Sequence, residues 1–157
     1  MDRLEQDAVQ RTCTATHDKP PAELAKKLEA DQLKTIVYPS GSLMGNWKEG
    51  GKIAWSGQGM QWNEDPKKPA GGGCYNCHEI SPARTSAGTI GPSLTAFGKK
   101  RGNGPDMQKY VYGKIYNAKA YNLCSDMPRF GTTHSLTEQQ MKDVTAYLLD
   151  PASPVNK

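Results

Sequence analysis

The feature that most constrains this chain is Cys74-Tyr75-Asn76-Cys77-His78. Two cysteines separated by two residues, with a histidine directly after them, form the attachment pattern of a c-type haem. Each thiol adds across one haem vinyl group to give a thioether, and the adjoining imidazole lies under the iron as its proximal ligand. With 4 Cys and 3 His in 157 residues, chance supplies this pattern about 0.002 times. A Cys-x-x-Cys redox pair has no use for the histidine and belongs with a thioredoxin-like βαβ pattern, which this sequence lacks. A zinc site needs four ligands, and no second Cys/His pair stands at ligand spacing. One covalently bound haem c is the expected cofactor.

Composition agrees with that expectation. Apolar residues are only 36% of the chain, with 16 Gly and 11 Pro. This is thin for a core of side chains alone, but a buried porphyrin supplies apolar surface of its own. The net charge of +4 argues only weakly for an acidic partner. Basic residues are scattered, so nucleic acid is not an expected partner, and no apolar run is long enough for a membrane span. Haem c is attached outside the cytoplasmic membrane. The expectation is a periplasmic protein whose signal peptide is absent from a sequence beginning Met1-Asp2-Arg3-Leu4-Glu5.

The pattern divides into a polar, partly helical extension over 1–45 and a haem domain over 46–157. In the extension, 2–12 reads as one short helix. Asp18-Lys19-Pro20-Pro21 reads as the start of another, whose stripe is Leu24, Leu28 and Leu33 with Ala25 and Ala30. Asn46 and Glu49 have the spacing of a capping box for a helix carrying Trp47, Ile53, Ala54 and Trp55. Gly50 and Gly51 in that helix predict a close crossing with another. A helix over 106–117 is expected to bury Met107, Tyr110, Val111 and Ile115. The last helix has Thr137 and Gln140 as a capping box and Leu136 against Met141 as a staple. Met141, Val144, Tyr147 and Leu148 form its buried stripe, and Asp150-Pro151 ends it. The two helices flanking the haem segment are expected to cross. Lys99-Lys100-Arg101 reads as a solvated turn in preference to a docking patch.

Two further stretches bear on the iron. A metal-bound histidine usually donates its other ring N–H to a fixed acceptor, and the carbonyl of Pro92, 14 residues after His78, is a suitable one. Opposite His78, six methionines compete. Met1 is terminal, Met44 and Met60 precede the haem motif, and Met107 and Met141 sit at core positions of helices. Met127 lies 49 residues after His78 in a loop before the last helix, and Pro128 restricts its backbone. It is the preferred sixth ligand, with His134, His17 and Cys124 as rivals. Cys13 and Cys124 remain after haem attachment. In an oxidising compartment they suggest a disulfide, closing a loop of about 110 residues and contributing roughly 4–5 kcal/mol; two free thiols or an intermolecular bond are the alternatives. Such a bond would staple the extension to the Met127 loop.

The haem motif, Gly91-Pro92 and Met127-Pro128 between two terminal helices resemble the class I cytochrome c fold, which is all-α. The resemblance narrows with Asn46-Trp47-Lys48, Gly57-Gln58-Gly59-Met60-Gln61, Gly88-Thr89-Ile90-Gly91-Pro92-Ser93-Leu94 and Lys114-Ile115-Tyr116-Asn117. It continues through residues 122–131, Leu136-Thr137-Glu138-Gln139-Gln140 and residues 150–156. Over about 45–156 the chain is similar to the SoxX family, the small subunits of SoxAX cytochrome complexes. That resemblance implies a heterodimer with a SoxA-type haem subunit, which carries a cysteine-ligated haem and joins thiosulfate oxidatively to a cysteine of the SoxYZ carrier. This chain's part would be to pass the electrons to an acceptor cytochrome c. No catalytic residue is expected here, because Cys74 and Cys77 are consumed by haem. A free-standing periplasmic cytochrome c shuttle is the alternative.

Overall fold

The computed structural model describes residues 5–58, 63, 65, 70–81 and 87–157. Among these the regular structure is helical, without a strand. Six α-helices run in the order α1 (Ala8–Ala15), α2 (Ala22–Lys34), α3 (Trp47–Trp55), α4 (Phe97–Arg101), α5 (Pro105–Tyr116) and α6 (Glu138–Leu149). Short 3₁₀ turns occur at Cys74–Asn76, Ala118–Ala120 and Pro154–Asn156.

The packing centre is the crossing of α3 and α6. A Cβ on Gly50 would run into the carbonyl of Asp143, and one on Gly51 would come within 3.1 Å of the Tyr147 ring. Both glycines therefore let the backbones approach as the sequence predicts. Trp55 then reaches across, its Nε1 donating to the Tyr147 hydroxyl at 2.8 Å. Thr137 and Gln140 form the reciprocal capping box of α6, and Leu136 and Met141 are both buried in the main core with Val144, Tyr147 and Leu148. At the other end, Asn156 Nδ2 donates to the carbonyls of Leu148 and Asp150. These are acceptors that the last turn of a helix leaves without intrahelical partners.

Four local expectations change. Asn46 does cap α3, its side chain accepting from Lys48 N, but Glu49 does not return to it. Glu49 pairs with Lys52 at 2.8 Å, while Asn46 N donates to Asp143 Oδ1 at 2.8 Å. The acceptor on α6 has displaced the one inside α3. In α5, Val111 and Ile115 are buried but Tyr110 is exposed; Tyr112 takes the fully buried place, packed between Tyr38 and Tyr116. Within the described part of the extension the first helix begins at Ala8, because Asp7 and Gln10 form a capping box there. In α2 only Ala25 and Leu28 of the expected stripe meet the second, smaller core around Val9, Cys13 and Leu123, whereas Leu24 and Leu33 are exposed. The basic run Lys99-Lys100-Arg101 forms the exposed last turn of α4, where cations suit the negative end of the helix.

Candidate haem site

The haem motif is held by backbone on both sides. Upstream, Gly71, Gly72 and Gly73 donate to the carbonyls of Gln58, Ile53 and Ser56, tying the approach to the end of α3. Gly73 takes a left-handed conformation, φ 55°, to turn into the 3₁₀ turn Cys74–Asn76. Tyr75 stacks on Trp55, centroids 5.6 Å apart. Downstream, Gly88 N donates to Tyr75 O, Gly91 N to Cys77 O and Leu94 N to Glu79 O. The 88–94 loop is thereby laid against the motif residue by residue.

That loop fixes the histidine. His78 Nδ1 lies 2.7 Å from the Pro92 carbonyl oxygen. A carbonyl only accepts, so Nδ1 carries the proton and Nε2 keeps its lone pair for a metal. Gly91 covers the ring so closely that any Cβ there would collide with His78 Cε1. Cys74 and Cys77 are free thiols, neither paired with the other; burial pushes the Cys74 thiol up to about 11. Two unpaired thiols beside an imidazole with one bare nitrogen fit a covalently attached haem. A redox pair would call for an acidified thiol, which Cys74 does not have.

The second loop is built from farther away. Met127 is half-buried and packs, like Cys74 and Leu94, against the main core. Its N–H donates to Ser125 Oγ at 3.2 Å. Lys119 Nζ donates to the carbonyls of Leu123 and Ser125, at 3.2 and 3.1 Å. Burial holds the Lys119 ammonium below its ordinary 10.5, and Arg129 pushes the same way. Cys124 is disulfide-bonded to Cys13, with Cα atoms 5.5 Å apart and a sequence separation of 111. His17 and His134 are exposed, both with positive φ in turns. Met141 is buried in the core, while Met44 and Met107 are half-buried against it. Met60 and the rest of 59–61 lie outside the described residues.

Lys119, Ser125 and Asp7 were not singled out by the sequence patterns. Asp7-x-x-Gln10 has the spacing of a capping box and was readable in principle. The lysine carried no signal, since a lone Lys in a loop reads as solvated.

Residues 67–150 match the family model described as cytochrome c. An uncharacterised lipoprotein of Aquifex aeolicus (strain VF5) is 36% identical over 161 residues, covering 97% of this chain and 73% of the relative. Among solved structures, the crystal structure of SoxXA from P. pantotrophus superposes with a TM-score of 0.51 at 24% identity, over 75% of this chain and 95% of that one. The architecture is therefore the all-α class I cytochrome c fold.

Proposed function

Because this chain belongs to the cytochrome c family, whose members carry covalently bound haem c, we propose that it is a monohaem electron-transfer subunit of the SoxX type. In this reading it works beside a SoxA-type haem subunit in the oxidative joining of thiosulfate to a cysteine of the SoxYZ carrier. Haem c, when bound, supplies a one-electron iron couple. Cys74 and Cys77 would anchor it, His78 and Met127 would bind its iron, and Pro92 would orient His78.

The observation that carries the electron-transfer reading is the 2.7 Å contact between His78 Nδ1 and the Pro92 carbonyl. It holds the ring in one tautomer and one orientation, which keeps the ligand geometry the same in both oxidation states. With His78 and Met127 both holding the iron, no coordination position would be left to activate a substrate. A methionine ligand also raises the potential, which suits a chain that takes electrons from a partner and delivers them to an acceptor cytochrome c. The Sox assignment is supported by the motif set over 45–156 and by the likeness in fold to SoxXA. Attachment of haem c outside the cytoplasmic membrane supports a periplasmic location; no helix among the described residues is long and apolar enough to cross a membrane.

A second reading is a free-standing shuttle that works without a SoxA-type subunit; the Aquifex relative, which matches extension and haem domain together, is named only as a lipoprotein. Purification from the native host separates the two. The first reading expects stoichiometric recovery with a second haem subunit, and thiosulfate-dependent reduction of this chain only when that subunit and the carrier are present. Recovery alone supports the shuttle. Coupling of thiosulfate to the carrier by this chain unaided contradicts both.

A further inference from the structure

Apart from Gly45 N, which donates to Lys142 O on α6 at 3.0 Å, the polar contacts between the described extension and the haem domain fall on the stretch of chain that leads into and out of Met127. Asp7 Oδ2 meets Arg129 at 2.6 Å, and the arginine is largely buried, with 15% of its side chain exposed. Glu29 Oε1 accepts from Leu123 N at 2.9 Å. Gln32 Oε1 and Thr35 Oγ1 both accept from Asn117 Nδ2, at 3.0 and 3.1 Å, and Asn117 is wholly buried. The Tyr38 and Tyr121 hydroxyls lie 3.2 Å apart. Cys13 is bonded to Cys124, and Val9, Cys13 and Leu123 share one small core. These ties fall at 117, 121, 123, 124 and 129, bracketing Met127 on both sides.

The distribution is not what general stabilisation of the haem domain requires. None of these hydrogen bonds reaches the haem motif or the 88–94 loop. The stretch has local bonds on both flanks of Met127, among them Ser125 N to Asn122 O at 3.1 Å and Thr133 N to Arg129 O at 3.0 Å, besides the Met127 bond to Ser125 Oγ and the Lys119 bonds; the extension adds ties from outside the loop. A loop on the surface opens at a free energy set by how many ties must break together.

We propose that residues 5–45 are a strap that keeps Met127 on the iron, with Asp7, Cys13, Glu29 and Gln32 as its positioning residues. This rests on Met127 being the axial ligand. The strap sets how often the sulfur leaves, and hence how well the iron resists foreign ligands, without touching the haem.

Asp7→Asn is the sharpest probe. Asparagine caps a helix as well as aspartate does, so α1 keeps its start while Arg129 loses its carboxylate. The readouts on the ferric holoprotein are the far-red sulfur-to-iron absorption band and the affinity for added imidazole, which competes with the sulfur. Asp7→Asn and Glu29→Gln are each expected to weaken the band and to raise imidazole affinity about threefold. The double variant Cys13→Ala/Cys124→Ala is expected to raise it on the order of tenfold or more. Thermal unfolding followed by circular dichroism serves as the control. If the wild type shows the band and Met127→Ala removes it, the ligand reading stands. If Asp7→Asn and Glu29→Gln then keep the full band and wild-type imidazole affinity, the strap is wrong. It is equally wrong if band and helix signal are lost only together on heating. A wild type without the band overturns the ligand reading and the strap with it.

Discussion

The loops that carry His78 and Met127 are built in opposite ways. The His78 loop is local: its hydrogen bonds join 71–73 to 53–58 and 88–94 to 75–79, and its anchor Pro92 is 14 residues from the histidine. The Met127 loop, besides its local bonds, is held from afar, by Asp7, Cys13 and Glu29, each more than 90 residues away. The contrast has a physical logic. In the proposed site a c-type haem would be bonded through Cys74 and Cys77 on the histidine side, so short-range backbone bonds would suffice to orient the ring. The thioether sulfur has no covalent help, and its retention depends on how rarely its loop opens. Long-range ties, whose loop-closure cost is already spent in folding, are what keep such a loop shut.

If this division is real, damage to one side should leave the other intact. The largest effect is expected from Cys13→Ala/Cys124→Ala, which should lower stability in guanidinium unfolding by roughly 4–5 kcal/mol. Amide exchange should rise at Leu123 and Met127, while Gly88, Gly91 and Leu94, bonded to the haem motif, keep their protection. Uniform loss of protection would break the comparison. Next comes Gly91→Ala, which forces a methyl against His78 and is expected to cost about 1–3 kcal/mol in thermal unfolding. Its exchange pattern should be the mirror image, loosened at 88–94 and unchanged at 123–129.

Asn117→Ala should cost about 1–2 kcal/mol, because the wholly buried Asn117 amide that joins Gln32 and Thr35 is lost. The change is read as a shift in denaturant midpoint at constant slope. The smallest effect is electrostatic. Burial alone would raise the Asp7 carboxyl, but the hydrogen bond from Gln10 N, together with the hydrogen bond and charge of Arg129, outweighs it and holds Asp7 below its ordinary 3.8. A lowered carboxyl stabilises the fold fully above that ordinary value. The contribution is lost as pH falls from there through the lower value of the folded state. Asp7→Asn should therefore lower stability near neutrality, with the deficit shrinking as pH falls below about 4, which flattens the acid limb of the stability–pH curve. An unaltered acid limb would show that the Asp7–Arg129 pair contributes nothing to holding the two segments together.

The same contrast explains what the sequence revealed. Cys74, Cys77, His78 and Pro92 form a short-range pattern whose chemistry dictates its spacing, so the local side could be read directly. So could the crossing of α3 and α6, since Gly50 and Gly51 have few other uses inside a helix and Tyr147 falls on the buried stripe. The far side offered one clue, an even remainder of cysteines. Asp143 shows why the rest stayed hidden. An aspartate in the middle of a helix reads as solvent-facing, yet it is buried and accepts from Asn46 N and Gln139 Nε2, displacing Glu49 from its expected cap. Asn117 and Lys119 likewise look like loop polar residues until the fold brings their partners to them. Tyr110 and Tyr112 are both tyrosines on one helix, and the approach of Tyr38 from the extension decides which is buried. Long-range contacts of this kind leave no periodicity to read.

The electron-transfer account stands on an iron with no open position. Its most direct test is to mix the reduced wild-type holoprotein with carbon monoxide and follow the haem spectrum. A saturated His78/Met127 iron predicts an unchanged spectrum on mixing, with any later change limited by the opening of the Met127 loop. Rapid and complete formation of the carbonyl complex would contradict it, and would point to a chain whose iron is there to bind.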